Sequence, residues 1–228
     1  MGQGDDLNDL WKFDEKNGWT PVDVHGTVKP LPRSYHAGAC SGHSLFVFGG
    51  CSGHNRLNDL WRFDTRSALW ELLHIGGEGA DRPSIRGGAM LFAPSEKEVY
   101  VICGFSGQEL DDAWRFNVET RTWTQITSPI PARSVAACAN LNGRAIIFGG
   151  EKEPAKEGHN GAGLMRNDVF IFDPKSGSWT EIECDGDKPC PRGWMEWAPI
   201  DDNTLLLVGG LSEKNQRLSD AFVLQLHA

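Results

Sequence analysis

The chain holds little tyrosine, two residues against nine Trp and eleven Phe, and no long apolar run. Its apolar runs are short, such as LFVF (45–48), AIIF (145–148) and LLLV (205–208), and fall far short of the roughly 18–20 residues of a membrane-spanning helix. A basic cluster is also missing. The 22 Lys and Arg face 31 Asp and Glu, for a net charge of −9, which argues against a nucleic-acid phosphate backbone as partner. The first residues, MGQGDDLNDL, are acidic and carry no apolar stretch, so no secretory leader is read there. No G-x-S-x-G elbow, P-loop or Cys-x-x-Cys pair occurs. The six cysteines do not follow a disulfide framework, and Cys40, Cys103 and Cys138 sit in apolar runs where a thiol serves as a small core residue. The expected compartment is reducing, the cytosol, with the nucleus as an alternative. Cys184 and Cys190 are the one pair open to bridging.

What is abundant is glycine and proline, 27 and 12 residues, which leaves little room for long helices. The chain is also repetitive. LNDLWKFD (7–14) returns as LNDLWRFD (57–64), LDDAWRFN (110–117), RNDVFIFD (166–173) and LSDAFVLQ (218–225). A Trp follows at 19, 70, 123 and 179. Gly49-Gly50, Gly149-Gly150 and Gly209-Gly210 end apolar runs, with Cys103-Gly104 in the remaining copy, and an arginine opens each unit at 33, 86, 133 and 192.

A period near 50 with a diglycine, an aromatic-Asp strand and a downstream Trp resembles the kelch repeat along the whole chain. The resemblance implies an all-β propeller, read as one domain over residues 1–228. Each unit offers four short strands, a to d from the channel outward: one after the Arg (HAGAC, 36–40), one ending at the diglycine, one at the LWRFD segment and one around the Trp. Residues 54–75 hold no Gly or Pro and read alone as a helix, but the sister segments DEKNGW (14–19) and DPKSGSW (173–179) are turns. The copies sum to 17 strands, about four and a half blades, which predicts part of a six-bladed ring, completed by an upstream segment or an oligomeric partner.

In an up-and-down blade the d-to-a and b-to-c connections emerge on one face. Arg33, Arg86, Arg133 and Arg192 are therefore expected at one mouth of the channel, as a positive collar for a small anionic ligand or a protein or peptide partner. The alternative is that each braces its blade. Residues 151–166 read as a long loop on that mouth, and Glu151, Glu153, Glu157 and His159 offer donors for a divalent metal, against the alternative of a solvated acidic loop.

FGGEKEPAKEGHNGAG (148–163), RNDVFIFD and PRGWMEW (191–197), with RSYHAGAC, IRGGAM, VICGFSGQELDD and PARSV earlier, resemble the C-terminal part of plant specifier proteins, the nitrile-specifier and thiocyanate-forming group. That resemblance implies a six-bladed propeller that steers glucosinolate aglucones with Fe(II). The family's Glu-x3-Asp-x3-His iron motif falls on Glu151, Ala155 and His159, so its middle carboxylate is missing and Glu153, Glu157 or water would have to stand in. By the same resemblance Arg86 is the anion contact and Trp194 an apolar wall for a substrate side chain, with core packing as the alternative for Trp194. The competing expectation is a non-enzymatic interaction module. Copper-radical oxidase chemistry fits less well, with only Tyr35 and Tyr100 as tyrosine ligands, and sialidase turns are not found.

Overall fold

A computed structural model describes residues 6–155 and 161–226, and among these there are strands and turns but no helix. A hairpin, β1 (Trp11–Asp14) and β2 (Gly18–Pro21), precedes three complete antiparallel blades. The first is β3 (Ala37–Ser41), β4 (Ser44–Ser52), β5 (Asn55–Asp64) and β6 (Leu69–His74). The second is β7 (Met90–Ser95), β8 (Glu98–Phe105), β9 (Glu109–Asn117) and β10 (Thr122–Ile126). The third is β11 (Ala137–Leu141), β12 (Arg144–Glu153), β13 (Leu164–Asp173) and β14 (Ser178–Ile182). The last blade holds β15 (Arg192–Gly193), β16 (Glu196–Pro199), β17 (Thr204–Ser212) and β18 (Arg217–Gln225), with both short strands pairing β17. This is the propeller arrangement that the repeat predicts.

Two details depart from expectation. Among the described residues there are eighteen strands, not seventeen, because Arg192–Gly193 pairs with Leu211–Ser212 as a two-residue strand where the other blades have the single bridges Ser34–Cys51, Gly87–Phe105 and Ser134–Glu151. The 151–166 segment is less of a loop than it reads. Strand β12 runs on to Glu153 and β13 begins at Leu164, with Glu151 paired to Met165.

The helix-like stretch 54–75 is a strand pair because its turn is chemically specified. Asp64 Oδ1 accepts the backbone N–H groups of Arg66 (2.8 Å) and Ser67 (3.2 Å). Asn117 Oδ1 does the same for Glu119 and Thr120, both at 2.9 Å, and Asp14 for Lys16 and Asn17. A carboxylate or amide that mimics the backbone closes a turn two residues on, so the residue ending strand c decides against a helix.

Each interface between blades carries its own core. Phe46, Phe48 and Leu60 pack against Leu91, Val101, Phe116 and Trp123; Met90, Phe92 and Ile102 against Ile147, Phe170 and Phe172; Phe148 and Val169 against Met195, Trp197 and Leu205. Within a blade the Trp of strand d meets the aromatic of strand c, at 5.1 Å for Phe63–Trp70, 4.8 Å for Phe116–Trp123 and 4.4 Å for Phe172–Trp179. The repeat is thus a unit that buries its faces only by stacking on its neighbours. At the two ends of the series Trp11, Phe13 and Trp19, and Val208 and Val223, remain exposed.

Candidate functional site

The four repeat-wide arginines are not a free collar. Arg86 and Arg133 are 0 % exposed, Arg192 1 % and Arg33 6 %. Arg86 holds Asp112 through both ends of its guanidinium, at 2.5 and 2.8 Å, and donates to Cys103 O at 2.9 Å. Arg33 holds Asp59 and Gly49 O, Arg133 holds Asp168 and Gly149 O, and Arg192 holds Asp220 and Gly209 O in the same way. The backbone of the same residue ties the preceding blade: Arg86 N–H donates to Leu57 O (3.0 Å) and its carbonyl accepts from Gly50 N–H (2.9 Å). The bracing alternative therefore describes these residues. An incoming anion would have to displace a bidentate carboxylate in a buried site, so the anion roles expected for Arg33, Arg86, Arg133 and Arg192 give way to structural ones. Where strand c carries Trp, at Trp61 and Trp114, the indole also donates to the aspartate at 2.6 Å. Where it carries Phe, at Phe170 and Phe222, the guanidinium lies over the ring at 5.2 and 5.3 Å.

Two residues beyond each arginine the backbone turns left-handed, at Tyr35 (φ 54°), Gly88 (59°), Val135 (48°) and Trp194 (53°). These residues link blade to blade: Gly88 N–H donates to Tyr35 O, Val135 N–H to Gly88 O and Trp194 N–H to Val135 O, at 2.8–2.9 Å. A β-branched or bulky side chain in this region is uncommon and stored strain of this kind gathers at functional sites. All four line one cavity of about 800 Å³ at the channel mouth, with Tyr35 48 % and Trp194 40 % exposed. Trp194 thus stands at the mouth rather than in the core.

A second tier comes from the residue after each diglycine: Cys51, Phe105, Glu151 and Leu211, all lining the same cavity. Across the ladder from them stand Arg56, Glu109, Met165 and Arg217. At this register position the copies differ in charge, while the arginine–aspartate brace is the same in every blade. Arg56 and Arg217 line the cavity, and Arg56 lies over the Phe105 ring at 4.9 Å. Glu109 accepts from Ser134 Oγ at 3.0 Å, while its Oε2 is buried without a partner. Burial pushes its carboxyl up to about 7, the Ser134 hydrogen bond works against that shift, and the Glu151 charge adds to it.

A titration effect follows. The folded chain binds more protons than the unfolded one between the ordinary glutamate value of 4.5 and about 7, so stability falls as pH rises through that window. Glu109→Gln should therefore stabilise the chain at pH 8, by about 1–2 kcal/mol, with the difference vanishing near pH 4. Urea titrations of both proteins at the two pH values check this.

The residues expected to hold a metal are described only in part. Glu151 is buried, its Oε1 accepts from Gly163 N–H at 3.0 Å, and burial pushes its carboxyl up. Ala155 lines the cavity without a donor, and Glu157 and His159 lie outside the described residues. Among the described residues no group of three or more His, Cys, Asp or Glu side chains is placed to hold a metal ion, a finding that does not extend to Glu157 and His159. All six cysteines are free, Cys184 and Cys190 included.

The repeat, the blades and the brace together meet an independent comparison: residues 1–150 match the family model described as the KLHDC2/KLHL20/DRC7 Kelch-repeats domain. The chain is a kelch-repeat protein. It is 25% identical to human "Kelch domain-containing protein 1" over 95% of its own length and 58% of that protein's. It is 25% identical to Bos taurus "Kelch domain-containing protein 2" over 94% and 57%, and 27% identical to the Drosophila melanogaster "Leucine-zipper-like transcriptional regulator 1 homolog" over 96% and 22%. The chain thus spans a little over half the length of the first two. These matches establish the kelch family and do not extend to the narrower likeness to specifier proteins.

Sequence reasoning missed Arg56, Arg217 and Glu109. A signal for them was present: aligned copies differ in charge at that position, whereas the motif search weighted the positions where they agree.

Proposed function

We propose that this kelch protein is a non-enzymatic interaction module that receives an extended segment of a partner protein in the mouth of its channel. The observation that carries the reading is the cavity itself, about 800 Å³ and lined by an exposed Tyr35 and Trp194 on left-handed backbone. Tyr and Trp on rigid backbone supply large contact area at small entropic cost, which favours recognition of a peptide. The alternative reading, iron-assisted steering of a glucosinolate aglucone, would draw its metal ligands from Glu151, Glu157 and His159. It has less support, since Ala155 provides no donor where that chemistry needs a carboxylate.

The test is panning of the immobilised chain against a displayed library of random peptides. Enriched peptides should share a motif, and their binding should fall at least tenfold, about 1.4 kcal/mol, in a Tyr35→Ala/Trp194→Ala double variant whose urea midpoint stays near that of the parent. Failure to enrich any peptide, or undiminished binding to the double variant, would overturn the proposal.

A further inference from the structure

The last blade is built like the others up to its strand c and, among the described residues, no further. There β18 pairs with β17 alone, whereas β5, β9 and β13 each pair a strand d as well. The outer edge of β18 thus presents a row of backbone donors and acceptors. Its side chains register the difference. Phe63, Phe116 and Phe172 are buried, while Leu224 at the same position of the repeat is half-buried. Leu60, Ala113 and Val169 are buried, while the equivalent Ala221 is exposed.

Beside that edge lies a groove of about 660 Å³ between the last two blades, lined by Phe148, Trp197, Phe222 and Leu224. By position it is the slot that a strand-d tryptophan fills elsewhere. Phe48, the equivalent of Phe148, meets Trp123 of the next blade at 5.7 Å, and Trp123 meets Phe116 of its own blade at 4.8 Å. The register is the same in all three complete blades. Phe63, Phe116 and Phe172 stand opposite Trp70, Trp123 and Trp179, and the residue three before each Phe stands opposite His74, Ile126 or Ile182. Carried over to β18, this sets a Trp opposite Leu224 and an aliphatic residue opposite Ala221. The segment that fits is an extended Trp-x-x-Ile.

Charge narrows the choice of occupant. Glu183, Asp185 and Asp187 follow β14, are exposed and line the groove, with Lys188 as the one cation beside them. A strand antiparallel to β18 runs in the same direction as β14, so its C-terminal end arrives at these carboxylates. In a second copy of the chain the strand d with an exposed Trp is β2, through Trp19, and Asp23 follows it two residues on. That strand would bring like charge to like. We infer that the outer groove between the last two blades takes a strand from a basic partner protein. A Trp-x-x-Ile segment of the partner pairs with β18, seats its indole against Phe148 and Leu224, and sets Lys or Arg after the Ile against Glu183, Asp185 and Asp187. Main-chain hydrogen bonds at the sheet edge supply affinity, while the indole slot and the charged rim supply specificity. This site lies apart from the mouth, and neither reading depends on the other.

The experiment titrates the whole chain, at low salt, into a fluorophore-labelled, amidated peptide Thr-Trp-Thr-Gln-Ile-Lys-Gly-Lys, followed by anisotropy. The peptide joins the sequence of β10 to a basic tail. Control peptides replace the Trp by Ala, or both Lys by Gln. Expected is a loss of at least tenfold with the Ala peptide and of about fivefold with the Gln tail. The preference for the Lys tail should vanish in Glu183→Gln/Asp185→Asn/Asp187→Asn, three changes at exposed positions. Binding should be unmoved in Tyr35→Ala/Trp194→Ala, and the bound peptide should slow hydrogen exchange over 221–225. No binding of the Lys-tailed peptide, equal binding of the Trp and Ala peptides, or a tail preference that survives the triple change would overturn the inference. Loss of binding in the mouth double variant would also overturn it, by placing the peptide at the mouth. Equal binding of the Gln-tailed peptide would remove the basic partner. A dimer of the free chain in sedimentation that the peptide disperses would give the groove to a second copy, and overturn the inference likewise. Failure of panned peptides to need Tyr35 and Trp194 bears on the mouth alone.

Discussion

Replacing Asp112 by alanine should lower the unfolding free energy by about 3–5 kcal/mol, the cost of leaving a buried charge without its partner. Arg86 is fully buried and has no route to water, while Asp112 is 21% exposed at its side chain. Burial opposes ionisation of Asp112, yet the Arg86 hydrogen bonds and charge, aided by the Trp114 indole, outweigh it and hold the carboxyl below its ordinary value of 3.8. The stability this contributes is present above that value and lost as pH falls through the depressed one. Asp220→Ala supplies the internal control. Its carboxylate is 42% exposed although Arg192 is only 1%, so water that already reaches the carboxylate can take its place against the guanidinium, and the expected loss is smaller, about 1–2 kcal/mol. Urea unfolding followed by tryptophan fluorescence reads both. Equal losses at the two sites would mean that burial does not set the strength of the brace.

The second large effect belongs to the diglycine. Gly50 has a φ of 92°, and a Cβ built there would stand 2.5 Å from Ser34 O and 2.8 Å from His36 N. Both neighbours are backbone and cannot swing aside. Gly50→Ala should therefore cost about 2–5 kcal/mol, from the left-handed penalty and the overpacking together. Gly53, also left-handed at 58°, has nothing within 4 Å of such a Cβ, and Gly53→Ala should cost only about 1 kcal/mol. The difference between the two midpoints isolates the close approach of strand a to the diglycine, and a difference near zero would remove it as the reason the motif exists.

These two effects explain why so much of the fold is readable from the chain. Each repeated residue does the same mechanical job in every blade: the arginine brackets two blades, the aspartate holds the arginine, the diglycine lets strand a approach, and the Asp or Asn at the end of strand c closes its turn. Periodicity reports such jobs directly, and it outweighs the helix-like composition of 54–75. What the binding face does is less legible for the same reason. Arg86 draws attention because it recurs, yet recurrence marks a brace. Arg56, Glu109, Met165 and Arg217 differ from copy to copy, so a repeat search treats them as noise, although they share one register around the mouth. The left-handed turn at Trp194 was also hidden. Its position two residues past the arginine is filled by Tyr, Gly, Val and Trp, and only Gly signals such a conformation.

The most direct test of the mouth as a binding site is hydrogen–deuterium exchange of the whole chain, with and without a peptide recovered by panning. The account predicts slower exchange confined to the segments around 34–36, 86–88, 133–135 and 192–194, whose backbone forms the chain of hydrogen bonds around the cavity. Protection instead in the outer groove around 181–189, or along the outer strands of the blades, would place the partner elsewhere and contradict it.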